Sequence, residues 1–542
     1  MEKFKTHPSI LKIKQYVKIE GLFHFDPIDE TVINDKIGSL DKRKPTTYNN
    51  IPTKVLVENK DIISPILTDI YNVSNKYSNF PNALKVADVT PVHKKEERAK
   101  KDNYRPVSIL PPVSKIFERN IFDQISSYID KFLSPFLFGF RKGYSTQHCL
   151  SVMISKWKKA VDNGNLAGAL LTDLSKAFDC LNHELLIAKL EAYGFDQSSL
   201  EYIYSYLSNR KQRTKVNNSF SEWCSILSGV PQGSILGPLL FNIYLNDIFY
   251  FVNKSDIANY ADDTTPFTMD KTMDALLESL EKDVDTLNRW FQDNYLKLNA
   301  DKCHLLVSSH SKDIDINVGK EIIECENSVK LLGITLDNKL NFNEHVSNIC
   351  KKANQKLHAL ARISNFMCQN KLRILMKAFI ESQFGYCPLI WMFHSRTLNN
   401  RINRLHERAL QLVYKNTHLT FEELLRKDNS FSIHHRNLQK LAIEIYKVKN
   451  NLSPTLMKNV FPERVIPYDL RNTNPFQSTN VNTVYNGTET LSFRGPQTWA
   501  LVPEEIKYAT SLTEFKTKIK NWEPKGCKCR LCKVYVHHLG FI

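Results

Sequence analysis

Apolar residues recur every three or four positions through most of this chain, and where that spacing stops, shorter extended runs take its place. The spacing predicts helices over residues 32–40, 51–71, 114–132, 147–163, 185–193 and 198–207. Between the second and third of these the period changes. Residues 86–92 and 104–110 read as strand-like, separated by a basic polar loop at 94–101. From about Asn343 the pattern becomes long, basic and helical, over 345–366, 369–386, 397–413 and 433–449. Helices from separated parts of the chain around short strands indicate an α/β (α+β) class.

Two of the short strands end in carboxylates. Ile257-Ala258-Asn259-Tyr260 precedes a tight turn and Thr264-Thr265 follows it, so Tyr260-Ala261-Asp262-Asp263 forms the tip of a β-hairpin carrying two adjacent acids. Upstream, Ala169-Leu170-Leu171-Thr172-Asp173 is a second acidic strand end, followed by Leu174-Ser175-Lys176-Ala177-Phe178-Asp179. Strands ending this way can converge on two divalent cations roughly 3.5 to 4 Å apart, which clamp the attacking and leaving oxygens of a phosphoryl transfer.

Composition narrows the class. The chain has 542 residues, is 42% hydrophobic and 11% aromatic, and carries 73 Lys and Arg against 57 acids, a formal charge of +16. That field would attract polyanions such as nucleic acid. Lys351, Lys352, Lys356, Arg362, Lys371, Arg373 and Lys377 fall on predicted helices with several sharing a face, which suits either solvent or a phosphate backbone. Neither an apolar leader after Met1 nor a run of about 18 apolar residues is present in the sequence, so an intracellular protein without a membrane span is expected. Most of the cysteines are scattered singly and read as reduced thiols.

Six blocks in order complete the pattern. They are Asn103-Tyr104-Arg105-Pro106-Val107-Ser108, Asp173 through Asp179, Ser228-Gly229-Val230-Pro231-Gln232-Gly233-Ser234, Tyr260 through Asp263, Leu298-Asn299-Ala300-Asp301-Lys302, and Leu331-Leu332-Gly333-Ile334. Together they resemble the reverse transcriptase of a non-LTR retrotransposon of the jockey or CR1 type. The resemblance implies a right-hand polymerase with an antiparallel palm sheet, fingers, a helical thumb and a mostly helical C-terminal extension. The expected divisions are an N-terminal helical extension at 1–83, fingers and palm at 84–340, thumb at 341–450, and a C-terminal region at 451–542.

The resemblance also assigns roles. Asp173, Asp262 and Asp263 would bind two Mg2+ ions, and Phe178 would act as the steric gate against a ribose 2′-hydroxyl. Gln232 and Gly233 would hold the nascent base pair, Tyr260 would line the nucleotide site, and Arg105 with one of Lys94 or Lys95 would meet the triphosphate. Lys302 would protonate pyrophosphate, and Leu332-Gly333 would form the primer grip. The partners implied are an RNA template, a DNA primer or target, and deoxynucleoside triphosphates. The nicking endonuclease that accompanies such polymerases is expected to be supplied elsewhere, and nuclear as well as cytoplasmic residence follows from integration. The rival reading is a decayed or domesticated copy that only binds RNA or DNA. Pro266, three residues after Asp263, departs from the family and suits an edge strand or a bulge.

One motif stands apart. Cys527-Lys528-Cys529-Arg530-Leu531-Cys532 is followed by His537 and His538, so Cys527, Cys529, Cys532 and His537 could make a Cys3His zinc site, although the paired CxxC spacing of a strong zinc signature is absent.

Overall fold

The computed structural model describes residues 2–47, 50–94, 97–217, 219–309, 314–464, 475–477 and 479–532. The strands in chain order are β1 (Val86–His93), β2 (Tyr104–Ile109), β3 (Leu166–Leu171), β4 (Arg210–Val216), β5 (Ser219–Phe220), β6 (Cys224–Ile226), β7 (Asp256–Tyr260), β8 (Asp263–Asp270), β9 (His304–Val307), β10 (Asp315–Val318), β11 (Glu321–Glu324), β12 (Ser328–Leu331) and β13 (Ile334–Asp337). They lie among helices in two compact units, one of residues 1–140, 173–253 and 285–299, the other of 141–172, 254–284 and 300–542. This is a mixed helix and sheet fold.

The first unit holds a sheet in the order β2-β1-β4-β5, with β6 also on β4; β1 and β2 are antiparallel, and β1 and β4 run parallel. Its helices start where the side chains can cap them. Asn182 accepts from the Leu185 amide ahead of helix His183–Ala192, and Asp196 does the same for Ser199 ahead of Gln197–Leu207. In the core of this unit, Lys189 and Asp247 form an ion pair of 2.5 Å with both side chains fully buried. The Trp290 indole donates to the other Asp247 oxygen at 2.8 Å and the Tyr244 carbonyl accepts from Lys189 at 2.7 Å, so neither charge lacks a partner.

The second unit is built on an antiparallel sheet in the order β7-β8-β3-β9. Helix Thr146–Asp162 packs on it, with Trp157 edge-on to Phe267 at 6.1 Å. Gly168 in β3 leaves room for Leu276, whose Cδ2 would lie 2.8 Å from a β-carbon there. Two buried polar links hold other segments to this helix. His148 meets Glu444 at 2.9 Å, and Asp162 accepts from the amides of Asn482 and Thr483 at 3.0 and 2.7 Å.

The predicted helices at 114–132, 147–163, 185–193 and 198–207 are present with shifts of a few residues at their ends. Two others are broken. The expected helix 51–71 is two, Thr53–Glu58 and Lys60–Lys76, because Asn59 turns its side-chain amide onto the Val55 carbonyl at 2.9 Å. The expected helix 369–386 changes winding, from α over Gln369–Leu375 to π over Met376–Ile380 and 3-10 over Glu381–Phe384. The extra residue of the π turn rotates the helix face. Glu381 thereby meets both Arg436 at 2.6 Å and His406 at 3.2 Å. Among the described residues no helix is long and apolar enough to cross a membrane.

Candidate active site

The acidic hairpin is a two-residue turn, with Tyr260 paired to Asp263 and Ala261-Asp262 between them. Ala261 takes a left-handed conformation, φ 60°, that costs an L-residue about 1–2 kcal/mol. Asn259 holds it there. Its buried amide nitrogen donates to the Ala261 carbonyl at 3.1 Å and to Thr264 Oγ1 at 2.9 Å. Asp262 stands exposed at the tip and Asp263 is half-buried.

Thr264 pairs with Thr172, the last residue of the second unit before Asp173. The Thr172 amide and hydroxyl both donate to the Thr264 carbonyl, at 3.1 and 2.6 Å. Between this bridge and the Ala169–Phe267 pair the β3–β8 register is unchanged, so no bulge intervenes. Pro266 therefore occupies an interior strand, which corrects the expectation of an edge or bulge. Alternation along β8 turns residues 264 and 266 to the same neighbour, β3. Proline has no N–H to give there, which accounts for the gap in the β3–β8 ladder, while the β7–β8 ladder runs unbroken through Ile257–Pro266.

In the first unit, the backbone after Asp173 is held by the 297–299 segment. The Asp173 carbonyl accepts from the Asn299 amide at 2.9 Å and the Lys297 carbonyl from the Ser175 amide at 2.9 Å. Phe178 follows in the short helix Ala177–Cys180, stacked on Phe241 at 4.3 Å and 23°, with Phe140 edge-on at 5.8 Å. It is half-buried.

The loop at 228–236 fits between this helix and β2. Val230 and Gly229 donate to the carbonyls of Phe178 and Leu181 at 2.9 and 2.8 Å, and the Gln232 carbonyl accepts from the Ser108 amide at 2.8 Å. Gln232 also donates its side-chain amide to Asp179 at 3.2 Å. Two glycines permit the approach. A β-carbon on Gly229 would stand 2.6 Å from the Phe178 carbonyl oxygen, and one on Gly233 would stand 2.4 Å from that of Ser108; both have positive φ, 79° and 135°. From beneath, the fully buried Glu118 accepts from the Ile235 and Leu236 amides at 2.6 and 3.4 Å. Burial pushes its carboxyl up from the ordinary range, while Arg210 and these two amides pull it back.

Arg105 is exposed on β2, opposite Val92 of β1, and Lys94 is exposed just beyond β1 with its amide on the Asn103 carbonyl at 2.8 Å. Lys95 lies outside the described residues, as do His537 and His538. In the second unit Lys302 ends the 3-10 turn Ala300–Lys302 ahead of β9. Leu332 and Gly333 are the turn between β12 and β13, with φ of 46° and 82°. The Tyr386 hydroxyl donates to the Leu332 carbonyl at 2.6 Å. Within the first unit the structure joins Phe178, Asp179, Gln232 and Gly233 to Ser108, and within the second it joins Leu332 and Gly333 to Tyr386. Asn259, Glu118 and Tyr386 were not singled out from the sequence. A polar side chain beside a tight turn is a signal for Asn259 alone; the other two act on segments far away in the chain.

Residues 92–336 match the family model for reverse transcriptase (RNA-dependent DNA polymerase). Among curated proteins, the chain is 28% identical over 405 residues to a probable RNA-directed DNA polymerase from transposon BS of Drosophila melanogaster, covering 71% of this chain and 44% of that one. It is 29% identical over 362 residues to the RNA-directed DNA polymerase from mobile element jockey of the same fly, covering 64% and 39%. A probable RNA-directed DNA polymerase from its transposon X-element is 25% identical over 419 residues, covering 74% and 46%. The chain therefore spans less than half the length of these relatives. The acidic hairpin, the glycine-bounded loop and the turn at Leu332-Gly333 all lie inside the span 92–336 that matches the reverse transcriptase model, and over that span the chain is similar to the RNA-directed DNA polymerases of the BS and jockey mobile elements.

Proposed function

We propose that the chain is an RNA-directed DNA polymerase that extends a DNA 3′-end along an RNA template, using deoxynucleoside triphosphates. The observation that carries this reading is the hairpin itself: a two-residue turn, fastened by Asn259 and registered by Thr264 on Thr172, with Asp263 preceding Thr264 and Asp173 following Thr172 in the chain. Asp173, Asp262 and Asp263 offer hard carboxylate oxygens, the donor chemistry that Mg2+ prefers, and we assign two Mg2+ ions to them. Bound there, the ions would activate the primer hydroxyl and neutralise the departing pyrophosphate.

The chain's own residues supply the rest. Phe178 closes the space a 2′-hydroxyl would need, while Gln232, Gly233 and Tyr260 line the new base pair. Arg105, Lys94 and Lys95 draw the triphosphate by charge, with the guanidinium able to bind it bidentately. Lys302 donates a proton to pyrophosphate, and Leu332-Gly333 support the primer terminus. On this reading residues 84–340 are fingers and palm, 341–450 the thumb, 1–83 an N-terminal helical extension, and 451–542 a mostly helical C-terminal region. The basic helices of the thumb would follow template and primer phosphates. Target-primed copying, with the nick made by an endonuclease, would take place in the nucleus after synthesis in the cytoplasm.

The test is Mg2+-dependent incorporation of deoxynucleotides on a primed RNA template by this chain and by its Asp262→Ala, Asp263→Ala double variant. Extension by the former, reduced about 1,000-fold or more in the latter, is expected. Failure of both to extend while both bind the template would favour the binding-protein reading.

A further inference from the structure

The cysteines near the C-terminus lie outside the span that matches the reverse transcriptase model and are built into the second unit. Cys529 and Cys532 are buried, and helix Ile433–Lys449 brings His434 beside them. The His434 Nε2 is 3.2 Å from the Cys529 sulfur, and the ligand atoms of His434, Cys529 and Cys532 lie within 4.8 Å of one another. Cys527, two residues before Cys529 on the same segment, is half-buried beside them. Around tetrahedral zinc, with bonds of about 2.3 Å to sulfur and 2.0–2.1 Å to nitrogen, a ligand nitrogen and a ligand sulfur stand about 3.5 Å apart. The observed spacing needs only small adjustment.

The surroundings hold this set in place. The Cys532 amide donates to the Cys529 sulfur at 3.4 Å, so the backbone already supports electron-rich sulfur there. The intervening chain is tied down by Arg494, which donates to the Lys528 carbonyl at 3.3 Å, and by Arg530, which donates to the Tyr485 hydroxyl at 2.6 Å. Two buried thiols, a half-buried third and a buried imidazole are gathered here. A soft thiolate set with one imidazole favours zinc over magnesium or calcium.

We propose that Cys527, Cys529, Cys532 and His434 bind one zinc ion, with His434 as the fourth ligand in place of His537. The ion joins the cysteine segment to a helix 95 residues earlier in the chain and so makes the C-terminal region part of the helical domain.

The proposal is tested on the full chain by zinc content and by the absorption of its cobalt(II)-substituted form, neither of which depends on polymerase activity. One zinc per chain is expected, with a cobalt spectrum of three thiolates and one imidazole. His434→Asn should weaken zinc binding at least tenfold, and His537→Asn should leave it unchanged. His434→Cys should keep the metal and move the cobalt bands toward those of four thiolates, a change that altered folding alone does not produce. Metal-free wild-type protein, a three-thiolate spectrum retained in His434→Cys, or loss of zinc in His537→Asn would each overturn the proposal.

Discussion

The Tyr386 hydroxyl donates to the carbonyl of Leu332 over 2.6 Å, and its ring lies against the next residue, where a β-carbon on Gly333 would stand 3.1 Å from the ring edge. The turn between β12 and β13 is thus fixed by a residue 54 positions away in the chain. Gly333→Ala combines a left-handed φ of 82° with that contact, and the turn should be destabilised by about 1–2 kcal/mol. Tyr386→Phe removes one bond at a half-exposed site and should cost about 0.5–1.5 kcal/mol. If this turn supports the primer terminus, both variants should give shorter products and a higher KM for primer and template, with the rate of a single addition less affected. Unchanged product lengths in Gly333→Ala would rule out that role.

The loop at 228–236 gives a sharper prediction. Gly233→Ala would put a methyl group into the Ser108 carbonyl, and Gly229→Ala would put one against the Phe178 carbonyl and Asp179. Backbone cannot yield as a flexible side chain can, so each change should displace Gln232 from Asp179. We expect a rise of about tenfold or more in KM for deoxynucleotides, with primer binding near normal, measured by single-nucleotide incorporation. Gly21→Ala, in open space, is the control.

The contrast between these residues shows what could be read beforehand. The helices were legible because burial of one face imposes a period that is local in sequence, and the blocks inside the matched span because each is contiguous. The breaks were not. Asn59 ends a helix by a bond of its own side chain, whereas the π turn at Met376–Ile380 accompanies contacts of Glu381 with partners on two later helices. Pro266 was misplaced for a related reason: its neighbour β3 comes from nearly a hundred residues earlier, and strand order is set by such distant pairings. The same holds for Glu118 under the Ile235 amide and for His434 beside Cys529.

Stability should fall on mild acidification. His345 accepts the Thr335 amide of β13 at its Nδ1, 3.2 Å away, and so must be neutral. Burial, then the Lys352 charge, lowers its pKa from 6.5 to about 4. Because the folded value is the lower one, the unfolded chain takes up the proton first. The contribution is fully present above pH 6.5 and is lost as pH falls toward 4, by up to about 3 kcal/mol. Glu381 acts in a lower window: burial raises its pKa, but His406 and Arg436 outweigh that and bring it to about 2, so its contribution is lost only below about pH 4.5. Denaturation between pH 7 and 4 should therefore be less pH-dependent in His345→Gln, which keeps an acceptor for Thr335 without titrating. Equal slopes in the two proteins would refute the assignment.

Phe178 offers the most direct test of substrate choice. One ring face is covered by Phe241 and Phe140 stands perpendicular to the ring, so the side chain is held in one orientation while part of it stays accessible. A ring fixed in this way can exclude a group by contact, whereas a mobile one would move aside. Phe178→Val removes the ring and should lower discrimination between deoxynucleotides and ribonucleotides by about tenfold or more, through a better kcat/KM for the ribonucleotide. Loss of the stack should cost roughly 1–2 kcal/mol of stability as well. Phe178→Tyr keeps the ring and the stack, so its discrimination should stay near wild type. The comparison is made with each ribonucleotide and its deoxy counterpart on the same primed template. If Phe178→Val adds deoxynucleotides normally and still rejects ribonucleotides as the wild type does, the ring packs the core and another residue sets the sugar preference.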